Sequence, residues 1–441
     1  MKNLTITLSL LLFLAVPVGA DSAEDATKPE VKKTRASTSK LGLTAYESDH
    51  YRLETDADKS VADEYLKIVE SEWPQLVEFF GKEPKLRKRQ KLRIYYLTTQ
   101  ELWHAKFKED GVGIPFGAGG YYTPKTSAVY FYRQPTVYNT RQLLIHEVMH
   151  QFHYLACCKN RSPKNTWYTE GIVEHLSRHN WNGETLEMGA VPLVTLADYP
   201  AKALQLFEHK DYSLADMVNN VRESARPEAW ALVHYIYSAE EGRYLVGWNK
   251  FRSKMDAGSH AKDWFKRLVA SPDGLQPKIK KWLKEEQEPF KYLWNEWEAR
   301  GFDEVIGWAD NITAGIVCRE NIDNISCTMS VPEKGDWAGG ILLDYVNNKD
   351  YTVGHIRSNG NYTVSRMTQN GWAIMRTGKG MKAINGKIVL RAVRKKKTKK
   401  DDGGVEYWVQ GKLIETIPVN GKQMGYCLEN GRLTFTGLDW N

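Results

Sequence analysis

The sequence contains few cysteines and, after its N-terminal segment, no long apolar run. Its five cysteines include no Cys-x-x-Cys pair, so they give no support to a zinc site built from thiolates. No apolar stretch after the first twenty residues is long enough to cross a membrane. The net charge of +7 is a mild excess for 441 residues, without the dense Lys and Arg clusters of a nucleic-acid groove. We therefore expect a soluble protein of two or three domains that neither spans a membrane nor binds nucleic acid.

The first twenty residues have the parts of a secretory signal. Lys2 provides a short positive region, an apolar core follows at 8–16, and small residues precede Asp21. This pattern predicts a signal peptide over 1–20 and a secreted or periplasmic location. No cysteine lies near the cleavage point, so lipid attachment is not expected. Residues 21–42 are polar and have little to bury, which predicts a disordered leader.

Two of the cysteines are candidates for a disulfide. Cys318 and Cys327 bracket a short polar segment that a bond could close, and disulfides persist outside the cytoplasm. The odd number of cysteines leaves at least one thiol unpaired or paired between molecules. Cys157 and Cys158 are adjacent, and a bond between neighbours would be strained.

The predicted secondary structure of the chain changes near residue 305. Before it, strands are predicted at 50–55, 92–97 and 128–132, and helices at 61–80 (interrupted by Pro74), 140–156, from near Glu170, and 282–297. After it, short alternating segments separated by Asn-Gly and similar turns predict an antiparallel β domain over 305–441. The sequence therefore predicts an α+β protein.

The segment HEVMH places two histidines four residues apart. On a helix, His146 and His150 share one face and can present ring nitrogens to one metal ion. Glu147 is offset by one residue, where its carboxylate can accept a proton from an activated water. The pattern alone also occurs by chance, in which case these are core histidines of a buried helix.

A third ligand distinguishes these alternatives. The metzincin class would need histidine six residues after His150, where this chain has Ala156. About twenty residues after His150, however, Glu170 stands at the start of the second predicted helix and can complete a His2Glu site. Glu174 lies one turn later on the same face. It is placed to accept the second ring N–H of a zinc-bound histidine, most plausibly His146.

HEVMH followed by WYTEGIVEHL resembles the gluzincins, the zinc peptidases marked by HExxH and a later EGxxE segment. The similarity covers roughly residues 46–300. It is strongest to the secreted peptidase-MA-like proteins. The resemblance implies a thermolysin- or aminopeptidase-like domain over 43–304, with a small mixed sheet and a helical subdomain.

The same resemblance implies roles for the site residues. His146, His150 and Glu170 would be the ligands of one zinc ion per chain, and Glu147 the general base. The substrate would be a peptide or protein.

One departure from the gluzincin aminopeptidases limits the resemblance. The stretch around Gly119, Gly120 and Tyr121 lacks the acidic residue that grips a free amine, although it can still be an edge strand that pairs with an extended peptide. Such enzymes also use a tyrosine or histidine from the later helices to stabilise the oxyanion. The candidates for this role are His234 and Tyr235, together with Tyr237, and the alternative is that they are core residues.

The β domain resembles concanavalin-like jelly rolls of the laminin-G style in the order of its strands and turns. Many relatives of that fold bind carbohydrate, so a polysaccharide or glycan is a possible partner. The aromatic residues that could stack on sugars are Trp337, Trp372, Tyr407 and Trp408. The basic run at 394–400 is expected to be a solvated hairpin tip, or else a contact for an anionic polymer or a membrane surface.

Three functions remain in competition at this point. The leading one is a zinc peptidase. The second is a glycan-binding protein whose gluzincin domain is inactive or accessory. The third, glycoside hydrolysis by the β domain, needs paired carboxylates across a cleft, and the sequence nominates no such pair.

Overall fold

A computed structural model describes residues 32–33, 39–113, 115, 117–294, 296–395, 403–419 and 421–441. It is an α+β structure, with a mixed sheet and ten helices followed by a large β-sandwich. The predicted signal segment lies outside the described residues. No helix within the described ranges is long and apolar enough to span a membrane.

The first sheet has six strands in the order β1-β2-β3-β4-β6-β5. They are β1 Lys32–Lys33, β2 Thr44–Glu47, β3 Tyr51–Thr55, β4 Leu92–Leu97, β5 Gly120–Thr123 and β6 Ala128–Tyr132. β3, β4 and β6 run parallel, and β5 pairs antiparallel with β6 at one edge. The three strands predicted here are confirmed. The leader, by contrast, was predicted to be disordered throughout, yet β1 pairs with β2.

Helices pack on this sheet and then form a subdomain of their own. They are α1 Lys59–Phe80, α2 Gln100–Glu109, α3 Val137–Cys157, α4 Thr166–Ser177, α5 Tyr199–Glu208, α6 Leu214–Val218, α7 Arg226–Ser238, α8 Leu245–Asp256, α9 Ala261–Leu268 and α10 Pro272–Leu283. A two-stranded hairpin, β7 His179–Trp181 and β8 Leu186–Met188, follows α4.

Two predicted helix boundaries were wrong. α1 continues through Pro74 because buried residues on both sides of it, such as Trp73 and Leu76, pack in the core. Burial of such side chains stabilises by about 1.5–3 kcal/mol each, which offsets the roughly 3 kcal/mol that a proline costs inside a helix. The helix predicted over 282–297 ends at Leu283. Its aromatic residues at 290, 292 and 294 lie two apart, and this spacing suits the strand that forms there.

The sandwich contains thirteen strands in two layers joined by one long strand, β21. They are β9 Phe290–Trp294, β10 Glu296–Ala299, β11 Glu304–Ala309, β12 Ala314–Cys318, β13 Asn324–Ser330, β14 Ala338–Asn347, β15 Asp350–Arg357, β16 Tyr362–Thr368, β17 Gly371–Gly378, β18 Lys387–Lys395, β19 Gly404–Val409, β20 Lys412–Ile417 and β21 Gln423–Trp440. The first half of β21 pairs with β12 and β14, and its second half with β11 and β13. This sheet begins at Phe290, ahead of the boundary predicted near residue 305.

Two further sequence predictions concern residues of the sandwich. β18 and β19 pair antiparallel with Lys395 opposite Gly404, so the basic run does belong to a hairpin, whose tip lies outside the described residues. The disulfide predicted between Cys318 and Cys327 is absent, since both are buried free thiols. The reason is that their strands, β12 and β13, pair with different halves of β21.

The sandwich contacts the helix that carries HExxH. The carboxylate of Glu296 on β10 accepts the backbone N–H of Val137, the first residue of α3, at 2.9 Å. An acceptor at this place satisfies an N–H that the helix leaves unpaired. Four residues later, Arg141 forms a buried ion pair with Glu298, also on β10. The two parts of the chain therefore meet at the N-terminal turns of α3.

Gly171, the glycine of the EGxxE segment, lets α4 approach α7 closely. A Cβ at this position would lie 2.7 Å from both the carbonyl oxygen of Ala229 and Cγ2 of Val233. Such distances are too short for any real Cβ contact, so a side chain there would push the two helices apart.

We expect Gly171→Ala to lower the free energy of unfolding by about 1–3 kcal/mol, the usual penalty of overpacking. Urea unfolding followed by circular dichroism measures this change. Gly274→Ala is the matched control, because a Cβ on that helical glycine meets only one atom, at 3.9 Å. The control should be as stable as the wild type or more stable. Equal stability of wild type and Gly171→Ala would contradict the packing argument.

Candidate metal centre

α3, which we call the metal helix, buries both histidines of HExxH on one face. Nε2 of His146 lies 3.5 Å from Oε2 of Glu170, and Nε2 of His150 lies 3.4 Å from Oε1 of the same carboxylate. Glu170 stands on α4, which packs across the metal helix. The structure therefore brings together the three residues that the sequence nominated as ligands.

The distances among these three side chains fit a shared zinc ion. Two ligands bound to tetrahedral zinc at about 2.0–2.1 Å lie about 3.3–3.4 Å apart, whereas a good N–H···O hydrogen bond spans about 2.7–3.2 Å. Nε2 of His146 and Oε2 of Glu170 are buried and have no hydrogen-bond partner among the described residues. Two imidazoles and a carboxylate are also a ligand set that zinc accepts. The residues present thus fit the metal.

The protonation states of His146 and Glu170 are those that suit metal binding. Burial, and then the nearby Arg226 guanidinium, hold the pKa of His146 well below its usual value, so this ring is neutral. Burial acts to raise the pKa of Glu170, but the facing His150 outweighs it and the pKa is lowered. A neutral imidazole and an ionised carboxylate are the forms that bind metals.

Glu147 lies beside this ligand set and is held by an edge strand. Its Oε2 accepts the backbone N–H of Tyr122 on β5 at 2.7 Å. β5 comes this close because residue 120 is glycine: a Cβ there would lie 2.9 Å from Cγ of Glu147. Burial raises the pKa of Glu147 to about 7. A carboxyl group with such a pKa can both accept and release a proton near neutral pH.

The predicted substrate strand has the position that the sequence suggested. Gly120 begins β5, Tyr121 follows it with a partly exposed side chain, and Gly119 immediately precedes the strand. β5 is the last strand on its side of the six-stranded sheet. Its outer edge has no paired strand among the described residues, so a peptide could add there.

Glu174 and Arg226 are not among the three proposed ligands, but both contact ligand residues. Oε1 of Glu174 lies 3.4 Å from Nδ1 of His146, the ring nitrogen that faces away from Glu170. Arg226, the first residue of α7, donates to the same Oε1 at 3.2 Å, and its Nε lies 3.5 Å from Glu170. The Arg226 side chain is 49% exposed, so its guanidinium also reaches solvent. Arg226 could not be nominated from the sequence, because no spacing relates it to the two motifs.

The residues predicted to stabilise an oxyanion do not contact the candidate metal centre in the described part of the chain. The His234 ring contacts Nδ1 of His175 at 2.8 Å, and the Tyr235 hydroxyl donates to Glu240 at 2.6 Å. The Tyr237 hydroxyl accepts the indole N–H of Trp248. None of these three contacts the ligand set within the described part of the chain. The prediction of His234 and Tyr235 is therefore corrected: their stretch of α7 turns these side chains towards other helices.

A second concave region lies on the sandwich. This groove, of about 590 Å³, crosses β15, β16 and β17 and is lined by three aromatic rings. Trp294 packs against Tyr351 with ring centroids 4.8 Å apart, and Tyr351 meets the edge of Trp372 at 5.5 Å. Trp372 is 47% exposed. The groove therefore presents an open aromatic surface.

Charged groups line the same groove. Arg357 donates to Oε2 of Glu429 at 2.6 Å, and Nδ1 of His355 lies 3.6 Å from that oxygen. Of the four aromatics predicted to stack on sugars, only Trp372 lines this groove. Trp337 and Tyr407 are buried in the sandwich core, so the prediction that they stack on sugars is wrong. The indole N–H of Trp408 donates a hydrogen bond to Glu406 on β19. Alternate residues of a sandwich strand face its core, and the sequence does not show which ones.

Comparison with known proteins gives similarities of structure only. No protein-family model matches the chain, and no curated protein matches it. The solved structures similar to it include the carbohydrate-binding module CBM66 from Bacillus subtilis, at 11% identity and a TM-score of 0.28, covering 34% of this chain and 93% of that one. Sheep galectin-11 is 8% identical with a TM-score of 0.23, covering 31% and 100%. A xylan beta-1,4-xylosidase from Bacillus halodurans C-125 is 8% identical with a TM-score of 0.23, covering 30% and 31%.

We expect Glu174→Ala to weaken zinc binding by about 10- to 100-fold, because His146 would lose the carboxylate that faces its Nδ1. Competition with a chromogenic chelator measures the affinity. Glu101→Ala, on the exposed face of α2, is the control and should bind zinc like the wild type. An affinity of Glu174→Ala within about twofold of the wild type would mean that Glu174 does not orient the ligand.

Proposed function

We propose that the chain is a secreted zinc metallopeptidase whose metal is held by His146, His150 and Glu170. The observation that carries this proposal is the mutual spacing of the three side chains, whose ligand atoms all lie within 4.8 Å of one another. Zinc in such a site supplies Lewis-acid chemistry: it polarises a carbonyl oxygen and activates water near neutral pH.

Glu147 moves the proton in this mechanism. The Tyr122 N–H fixes one carboxylate oxygen, so the group stays beside the ligand set. The carboxylate takes a proton from the water as its oxygen attacks the amide carbon. It then gives that proton to the leaving nitrogen as the C–N bond breaks. A pKa of about 7 suits both transfers.

Two further features support a peptide as the substrate. The outer edge of β5 offers backbone groups to an extended chain, and the strand passes directly over Glu147. Arg226 is the cationic side chain beside Glu170, and it reaches solvent. Its guanidinium can offset the negative charge that develops on the carbonyl oxygen during attack, the role that the sequence had assigned to His234 or Tyr235.

Glu147→Gln should reduce peptide hydrolysis by about 10²–10⁴-fold while zinc stays bound, because the amide keeps the shape of the side chain but accepts no proton. Cleavage of a peptide library followed by mass spectrometry measures the first effect, and elemental analysis the second. The control is Glu101→Gln, the same change at an exposed position, which should cleave like the wild type. Zinc-free protein, or undiminished cleavage by Glu147→Gln, would contradict the mechanism.

The sandwich groove supports a second function, the binding of a glycan. Sugars present C–H faces that pack on aromatic rings and hydroxyl groups that bond to charged side chains. The groove offers both, through exposed Trp372 and through the Arg357–Glu429 pair. In this second proposal the sandwich holds the enzyme on a polysaccharide or on a glycosylated substrate.

Trp372→Ala should weaken glycan binding about tenfold, or ~1.4 kcal/mol, since its ring is the exposed aromatic surface of the groove. A glycan array probed with the full chain identifies a ligand, and calorimetry then compares the variants. Trp408→Ala removes a tryptophan from β19, outside the groove, and should bind like the wild type. Equal losses in both variants would place binding elsewhere, and the absence of any array signal would remove this second function.

A further inference from the structure

The metal helix carries a third histidine that faces away from the zinc ligands. This residue is His153, and its ring is completely buried. Nε2 of His153 lies 2.8 Å from Oδ1 of Asp256, the last residue of α8, and 3.6 Å from Sγ of Cys158, just after the metal helix. The Cys158 sulfur lies 3.9 Å from the same Oδ1. Three potential ligands of different chemistry thus converge on one point.

We propose that His153, Cys158 and Asp256 form a second metal site, which takes a divalent ion such as Zn²⁺ or Co²⁺. A thiolate, an imidazole and a carboxylate together are the ligands that such borderline-soft ions accept. The site shares no residue with the ligand set of the proposed peptidase, and it goes beyond that function.

The two distances that involve sulfur are close to those of a metal site, whereas the His153–Asp256 distance is shorter. Sulfur bound at about 2.3 Å to tetrahedral zinc lies about 3.5–3.6 Å from nitrogen or oxygen ligands bound at about 2.0–2.1 Å. The two sulfur distances, 3.6 and 3.9 Å, are close to this value. The His153–Asp256 distance is that of a hydrogen bond, so an ion between them would widen it by about half an ångström.

The site is accessible from solvent. Cys158 and Asp256 line a cavity of about 930 Å³ between the end of the metal helix and α8, with Cys157 and Arg252 also in its wall. The cavity provides an entry path and space for a water as a further ligand. Burial raises the pKa of the Cys158 thiol, so the sulfur keeps its proton at neutral pH until a metal displaces it.

Asp256 also accepts the hydroxyl of Tyr168 on α4, at 2.7 Å. An ion at this point would therefore join the end of the metal helix to α8, with α4 held against it. His150 and His153 lie within one turn of the metal helix, so the second ion would brace the turn that positions a ligand of the first. Without a metal, Asp256 would simply accept hydrogen bonds from His153, Cys158 and Tyr168. The experiment must distinguish this hydrogen-bonded cluster from a metal site.

Cobalt titration of the full chain tests the site. The protein is first freed of metal with a chelator and then titrated with Co²⁺, whose bond to a thiolate absorbs strongly in the near ultraviolet. We expect two equivalents to bind, one of them with that absorption, because His146, His150 and Glu170 contain no sulfur. Cys158→Ser should lose the absorption and one equivalent. His146→Ala should lose the other equivalent and keep the absorption, so failure of one site is distinguished from failure of the other.

Cys427→Ser is the matched control, since Sγ of Cys427 also lies 3.3 Å from a histidine nitrogen, that of His355. It should retain both equivalents and the absorption. Asp256→Asn provides a second variant if Cys158→Ser fails to fold, and it should bind the absorbing cobalt at least tenfold more weakly. Binding of a single equivalent without the absorption would overturn the proposal. So would an absorption that is lost only in Cys427→Ser, or an unchanged affinity in Asp256→Asn.

Discussion

The carboxylate of Glu170 faces two imidazoles from a neighbouring helix, and the rest of the candidate centre takes its position from this contact. Gly171 follows directly, and its missing side chain lets α4 lie close against α7. That approach brings Arg226 to the same carboxylate. One turn later, Glu174 faces the other nitrogen of His146. A single short helix therefore supplies a ligand, the orientation of another ligand and the packing that holds both, so a shift of α4 would disturb all three together.

Three carboxyl groups lie close together in this region. The carboxyl groups of Glu147, Glu170 and Glu174 surround two imidazoles, while Arg226 is the guanidinium that faces them and is half exposed. Buried carboxylates are costly unless cations or hydrogen bonds compensate them. The Tyr122 N–H supplies one such bond. A divalent ion between the histidines and Glu170 would add positive charge beside these carboxyl groups.

The β-sandwich contributes to this centre although it contains none of its ligands. Glu296 accepts the first N–H of the metal helix, and Glu298 pairs with buried Arg141 on the same helix. Loss of that partner would leave the buried guanidinium with Glu64, at 3.3 Å, as its ion-pair partner, and breaking a buried pair typically destabilises by about 3–5 kcal/mol. The sandwich therefore supports the N-terminal turns of the metal helix.

The sequence by itself determined the elements whose pattern is local. Helical spacing put His146 and His150 on one face, and strand alternation located β3, β4 and β6 and predicted a β domain in the C-terminal part of the chain. A second motif also nominated Glu170 and Glu174, because an acidic residue on a following helix is a recurring third ligand. Tertiary structure decided what spacing along the chain does not encode. Arg226 reaches the centre, and His234 does not, because of how α7 packs on α4. Likewise, Trp337 faces the core and Trp372 the groove because the two layers of the sandwich bury one side of each strand.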